Sequence, residues 1–451
     1  MKQPKKASLW ALVALGILLC NALPAQKLPS LSIQRLQLKN GLVVLALEDH
    51  TVPSAAYYTL FKVGSRNERP GITGLSHLFE HMMFNGSARY KPKEFDHIIE
   101  AGGGESNAFT TSDTTEYFEE FSSPTLDITL QLEADRMRAL KLDKANIEQE
   151  RGIVKEERRV NTDNSLPGSM YEQLVNHAFV AHPYHWDTIG FMKDLDAITL
   201  SDAKTYFKTY YAPNNAVVVV VGDFKTAELF AGIKKYFSDI PAQTPPRAVV
   251  NSEPLQQGEK RINYHRPAEL PAVLLGYKSI SSHAPDAPAL ELLSVILAGG
   301  DSSRLYRALV YEKQIATEVS ADSDARLDPS LFTFYAQAAP GHTTEECEKA
   351  IYDTLAEVQK NGVTERELQK AKNGFLKGLI GRFATNMGRA GLLAKYEAHW
   401  GGWKHLYDLL PRYDKVTTAD VLRVAKKYFT EKTRTVIVLK PESAAQGGEQ
   451  K

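Results

Sequence analysis

Two histidines and a glutamate fall within five consecutive positions of the run Thr73-Gly74-Leu75-Ser76-His77-Leu78-Phe79-Glu80-His81-Met82-Met83-Phe84-Asn85-Gly86. Imidazoles four residues apart on a helix lie one above the other, so His77 and His81 can reach a single metal ion, and Zn2+ favours such nitrogen donors. Glu80 lies between them in angle, where its carboxylate can take a proton from a metal-bound water rather than bind the metal. The spacing His-x-x-Glu-His is suited to metal-assisted hydrolysis.

Two histidines leave a catalytic zinc one protein ligand short. A second acidic segment, Asp143 to Arg159, offers Glu148, Glu150, Glu156 and Glu157. Glu150 and Glu157 are two helical turns apart and share a face, whereas Glu156 points away from them. Arg151, Lys155, Arg158 and Arg159 could also pair with these acids on a solvated helix, so the segment alone leaves the choice open. Other clusters read as structural. His177, His182 and His185 are broken by His182-Pro183 and suit a turn packed on the domain surface. Gly102-Gly103-Gly104 lacks a following Lys-Ser/Thr and meets Glu105, which would repel a phosphate, so it reads as a tight turn.

These groups need rigid elements to hold them. Thr73 is placed to cap a helix that Asn85-Gly86 would end, with Leu75, Leu78, Phe79, Met82 and Met83 on its core side. Leu42 to Leu47 follows the turn signal Asn40-Gly41 and reads as a strand; Ala216 to Val221 reads as a buried one. The polar, proline-rich stretch 241–260 reads as a linker between two α+β units. The second unit repeats the first. Thr199-Leu200-Ser201-Asp202-Ala203 leads through Tyr210-Tyr211 into the valine strand, and Thr417-Thr418-Ala419-Asp420-Val421 leads through Tyr428-Phe429 into Val436-Ile437-Val438-Leu439. The expected organisation is a cleaved leader at 1–25, a metal-binding domain at 28–240, the linker at 241–260, a second homologous domain at 261–441 and a flexible tail at 442–451.

The leader has a basic start (Lys2, Lys5, Lys6), an apolar run from Leu9 to Leu19 too short to span a bilayer, and a small residue at Ala25. Export to the periplasm is expected, with secretion the second choice. Its removal leaves Cys347 alone, which suits an oxidising compartment. The whole chain has 451 residues with 54 basic and 54 acidic side chains, so no net basic field exists to hold a nucleic acid. Hydrophobic residues at 43% are those of a folded chain.

The sequence resembles the pitrilysin/insulinase family of zinc metallopeptidases, in its two-domain branch similar to mitochondrial processing peptidase. The resemblance rests on Asn40-Gly41, Gly64-Ser65-Arg66, Gly74 to Phe84, Gly102-Gly103, Asn107-Ala108-Phe109-Thr110, Glu150 through Glu157, His182-Pro183-Tyr184 and Ser303-Arg304-Leu305. It implies two homologous α/β sandwich domains forming half of a clamshell, and a zinc-dependent endopeptidase activity on extended or unfolded peptides, a non-catalytic assembly subunit being the alternative. It implies that one Zn2+ is held by His77, His81 and Glu157, that Glu80 is the general base and that Glu150 is an outer carboxylate supporting the site. Asn107, Ala108, Phe109 and Thr110 would form an edge strand on which substrate adds as a further strand, with Asn107 near the scissile carbonyl. Leu292-Leu293-Ser294-Val295-Ile296 stands where the second half would carry His77 to His81, so only the first half is expected to hold metal. The family's Arg and Tyr, seven residues apart, fall at Val310 and Thr317. A homologous partner without zinc is therefore expected to supply that pair in a heterodimer, with a homodimer the second choice.

Overall fold

The structure, a computed structural model, describes residues 28–250 and 253–442. The expected leader at 1–25, and the expected tail apart from Glu442, lie outside the described residues. No helix among the described residues is long and apolar enough to cross a membrane.

Strands β1 (Ile33–Gln37), β2 (Val43–Glu48), β3 (Ser54–Phe61), β4 (Glu105–Thr110), β5 (Thr115–Ser122) and β6 (Ala216–Gly222) form one sheet in the order β1-β2-β6-β3-β5-β4. Strands β7 (Lys260–Pro267), β8 (Ala272–Lys278), β9 (Ala316–Ser323), β10 (Leu331–Ala338) and β11 (Arg434–Glu442) form a second, ordered β7-β11-β8-β10-β9. Without β1, the two orders are the same topology. In each sheet the first and last strands of that shared set pair in parallel, β2 with β6 and β7 with β11, and every other pairing is antiparallel. The repeated helix starts match as well. Thr199 with Asp202 and Thr417 with Asp420 form reciprocal capping boxes on the helices that precede β6 and β11. The chain is thus α+β and duplicated.

The two halves cover one another. The helices that matter are α1 (Leu75–Met82), α2 (Lys144–Arg158), α3 (Leu166–Ala178), α4 (Ala287–Ala298), α5 (Glu365–Phe383) and α6 (Asn386–His399). Successive residues of a strand point to opposite faces. In β6, Val218 and Val220 join the core made with α1 and α2, while Val217, Val219 and Val221 face Leu392, Leu393 and Ala394 of α6, from the other half. The reciprocal contact sets Met170, Leu174, Val175 and Ala178 of α3 on Ala272, Leu274, Ile437 and Leu439 of the second sheet. Gly276 has no side chain because a Cβ there would come within 2.8 Å of Leu174. A valine run buried on both faces is what this double cover requires.

The stretch between the sheets is pinned rather than loose. Glu253 accepts hydrogen bonds from the backbone N–H groups of Val180, Ala181 and His182 and pairs with Lys278 at 3.0 Å. His182 is correspondingly not on a domain surface, as its turn suggested, but buried where the halves meet. Its Nε2 lies 3.0 Å from Asp328 of the second half, and Tyr184 reaches Asp113 at 2.6 Å.

Candidate metal centre

Helix α1 differs from its expected outline at both ends. It runs only from Leu75 to Met82, preceded by Gly74 in the left-handed region (φ +86°) and with no side-chain cap from Thr73. The Thr73 hydroxyl instead donates to Asp194, 2.7 Å away, and accepts from the N–H of Phe191. The cap comes from Glu68, whose two carboxylate oxygens accept the N–H groups of Gly74 (2.8 Å) and Ser76 (2.7 Å). Burial pushes the Glu68 carboxyl up to about 8, against the pull of those donors. A left-handed Gly74 is required there, since the carbonyl of Ile189 lies 2.4 Å from where its Cβ would stand.

Leu75, Leu78, Phe79 and Met82 are buried in the core with Ile147 and Val154 of α2, which brings the two helices together. Asp143 caps α2 by accepting the N–H of Asn146 at 2.9 Å. At the other end, buried Arg158 donates to the carbonyl of Gly190 (2.6 Å) and pairs with Glu172 (2.8 Å), before a π-helical turn over Arg159–Asp163. The remaining faces of α1 and α2 then confront each other with the predicted residues. Glu157 Oε2 lies 3.6 Å from His77 Nε2 and 3.4 Å from His81 Nε2. The donor atoms of His77, His81 and Glu157 all lie within 4.8 Å of one another. Donors about 2.0–2.2 Å from a tetrahedral zinc are roughly 3.3–3.6 Å apart. Both glutamate–imidazole separations match that spacing, so the three side chains could hold a zinc ion.

Glu150, buried, places Oε2 at 3.5 Å from the other ring nitrogen of His81, Nδ1, the partner that orients a ligating imidazole. Glu156 and Glu148 point away and pair with Arg159 and Arg151 at 2.7 Å each. Glu80 makes no hydrogen bond or ion pair among the described residues, so its carboxylate is free to accept a proton. Burial holds His77 below the usual imidazole range, the neutral form a ligand needs. For His81 burial acts the same way, but Glu150 and Glu157 outweigh it and push the ring up to about 9.

Strand β4 is the outer strand of its sheet, paired only with β5, and Asn107, Ala108, Phe109 and Thr110 lie along it next to α1. Asn107 Oδ1 accepts its neighbour's N–H from Ala108 at 2.8 Å. The ring of Phe109 is exposed and lies 6.1 Å from that of Phe118. In the second half, Leu292, Leu293 and Ile296 of α4 are buried apolar residues. Val310 lies in a π-helical turn, Tyr306–Glu312, and Thr317 in β9.

A duplicated α+β chain whose first half confronts a His-x-x-Glu-His helix with a glutamate-bearing one has the build of the inverted zinc peptidases. Residues 43–190 match the insulinase family (peptidase family M16) and residues 197–375 match the peptidase M16 inactive domain. The chain is 36% identical over 409 residues to the zinc protease PqqE of Helicobacter pylori, covering 90% of this chain and 92% of that one. It is 26% identical to an uncharacterized zinc protease of Mycobacterium leprae, over 89% and 91% of the two chains. A crystal structure of a protease from H. pylori superposes with a TM-score of 0.87 at 36% identity, covering 91% of this chain and all of that one. The periplasmic protease PqqL of Escherichia coli superposes at 0.74 and 18% identity, with 92% of this chain covering 48% of that one. The chain belongs to the insulinase family, peptidase family M16.

Proposed function

We propose that this chain is a zinc-dependent endopeptidase that hydrolyses extended or unfolded peptides. The reading is carried by the convergence of His77, His81 and Glu157 at zinc-like separations beside the unpaired carboxylate of Glu80. Bound zinc would polarise the scissile carbonyl and lower the pKa of a water molecule towards neutrality. Glu80 takes the proton from that water and returns it to the leaving amine. Glu150 faces Nδ1 of the His81 ring, which would leave Nε2 as the atom to hold the metal. The free edge of β4, from Asn107 to Thr110, offers backbone groups to an extended substrate, which excludes peptide already folded into a sheet or helix.

In this reading the domain at 28–240 carries the chemistry, and the domain at 261–441, across the linker at 241–260, closes over substrate. The similarity of this chain to half of a longer periplasmic protease supports a paired arrangement. We take the partner to be a homologous chain without zinc, a second copy being the alternative, and the compartment to be the periplasm rather than the medium. The deciding experiment combines metal analysis with peptide turnover. Native protein should hold about one zinc per chain; Glu80→Gln should keep the metal and lose hydrolysis, while His77→Ala or His81→Ala should lose both. Hydrolysis surviving in Glu80→Gln would remove Glu80 as the base. A native chain that binds no zinc would make it a non-catalytic family subunit.

A further inference from the structure

A cavity of about 580 Å³ opens between the outer face of the first sheet and helix α6 of the second half. One wall is aromatic: Phe109 of the edge strand, then Phe118, with Tyr58 stacked on Phe118 at 5.6 Å. Asp187 lies on the lining too, and Phe109 belongs to β4, which packs against α1, so that end of the cavity faces the metal-centre helix. The opposite wall carries Arg382 of α5 and Lys395 of α6, and both also line an adjoining cavity of about 400 Å³.

The charges of this cavity are unequally matched. Asp113 accepts from Arg66 and Tyr184, Asp324 pairs with Arg326 at 2.7 Å, and Asp187 accepts from Thr188 without an ion pair. Glu116 is buried and bonded to the hydroxyls of Tyr58 and Thr114, and burial raises its carboxyl above the usual range. Arg412 is spent on the face of Trp400, 4.6 Å from its centroid, and on backbone carbonyls. Arg382 and Lys395 make no hydrogen bond or ion pair among the described residues, and the Lys395 charge acts on the buried carboxyls of Glu116 and Glu291 without bonding either. Beside them the Nε2 atom of His399 is buried with no hydrogen-bond partner. Burial, with Lys395, Lys62 and His283 adding to it against Asp113, holds that ring down to about 4, so it is a neutral imidazole at pH 7.

We propose that Arg382 and Lys395, with His399 beneath them, form a subsite for a carboxylate of the bound peptide, so that the chain prefers acidic peptides to neutral ones. The inference rests on the peptidase reading for the direction of the peptide, which runs from the edge strand past Phe109 into the cavity. A carboxylate there gains two cations that make no ion pair and a nearby imidazole nitrogen that lacks a partner. The chemistry is shared by a free C-terminus and by an Asp or Glu side chain.

The test uses the full-length Glu80→Gln protein and fluorescent peptides of about twelve residues, read by anisotropy. One pair differs only in a C-terminal carboxylate against an amide, the other only in one internal Glu against Gln. The expected result is about fivefold tighter binding of the carboxylate member in at least one pair, the scale of one partly exposed ion pair. That ratio should fall to about one in Arg382→Gln/Lys395→Gln and invert in Lys395→Glu; both side chains are exposed, so the substitutions leave the core intact. The pair that responds identifies the source of the carboxylate. Equal affinities within both pairs, or a ratio undiminished in the double variant, would overturn the subsite. Hydrolysis by the native chain is read separately: its absence refutes the peptidase while a surviving ratio keeps the subsite.

Discussion

Glu68 is the residue whose removal most directly tests how the fold holds the metal helix. Its two oxygens accept the N–H groups of Gly74 and Ser76, three and one residues ahead of His77, at a helix start that is buried and has no other cap. Glu68→Ala leaves both donors without acceptors. At roughly 1–3 kcal/mol for each buried unmet group, less the relief of no longer burying a carboxyl, the net loss should be about 2–4 kcal/mol. Glu68→Gln keeps the volume and one acceptor, so it should cost less. The two variants also differ from wild type in pH response. Burial raises the folded-state pKa of Glu68 from its ordinary value near 4.5 to about 8, so the folded protein binds this proton more tightly than the unfolded chain does. That contribution to stability is complete below about 4.5 and is lost as pH rises through 8. Glutamine cannot titrate, so the stability gap between wild type and Glu68→Gln should narrow by more than about 1 kcal/mol between pH 5 and pH 8.5. Urea midpoints at those two pH values measure it. A constant gap would show that the N–H donors keep the carboxylate ionised, and a Glu68→Ala cost below about 0.5 kcal/mol would dismiss the cap itself.

Two further outcomes follow from single contacts. Glu150→Gln removes the charge facing His81 Nδ1 at 3.5 Å, and zinc affinity measured against a competing chelator should weaken about 10–100-fold; unchanged affinity would leave Glu150 a packing residue. Burial alone would raise the carboxyl of Glu253, but the N–H groups of His182 and Ala181 and the Lys278 ammonium outweigh it and hold it down to about 2. Its stabilising effect is therefore present above about 4.5 and lost as pH falls towards 2. The stability deficit of Glu253→Gln should accordingly be full at pH 7 and smaller at pH 3, and a deficit independent of pH would contradict the ionic contact.

The sequence exposed the chemistry better than it exposed the support. His77, Glu80 and His81 are legible because helical spacing alone converts their order into a shared face, and Glu157 because two turns separate it from Glu150. The family resemblance then chose between those two acids, and in the structure Glu157 lies near both imidazoles and Glu150 beside His81 Nδ1. Glu68 was not legible. It caps from a loop, outside the helix and out of the usual capping position, and the hydroxyl that looked like the cap, Thr73, is taken by Asp194 from 121 residues away. His182 looked like a surface turn because its partner, Asp328, is 146 residues distant. The exchange of α3 and α6 between halves was likewise hidden. An amphipathic pattern states that a helix must bury a face but not which sheet will receive it.

Duplication followed by specialisation accounts for a single three-donor cluster, in the first half, among the described residues. Helix α4 occupies the place of α1, yet Leu292 and Ile296 stand where the imidazoles would be and are buried, 1% and 5% exposed. Phe375 of α5 packs face to face with Tyr413 at 3.6 Å, and the Tyr413 hydroxyl bonds Glu291 of α4. Aromatic packing thus fills the ground that confronting histidines and glutamates hold in the first half. Returning the donors should therefore not return a site. In Leu292→His/Ile296→His two apolar side chains are exchanged for imidazoles that meet an apolar α5 surface, since Leu368, Ala371 and Phe375 are the α5 residues of their core cluster. Each exchange forfeits about 2–5 kcal/mol of packing and leaves polar nitrogens without partners. The variant should melt well below wild type while its zinc content stays at about one per chain. A second equivalent of tightly bound zinc would show instead that the halves are interchangeable, and that the donors alone, not the surrounding packing, decide where metal binds.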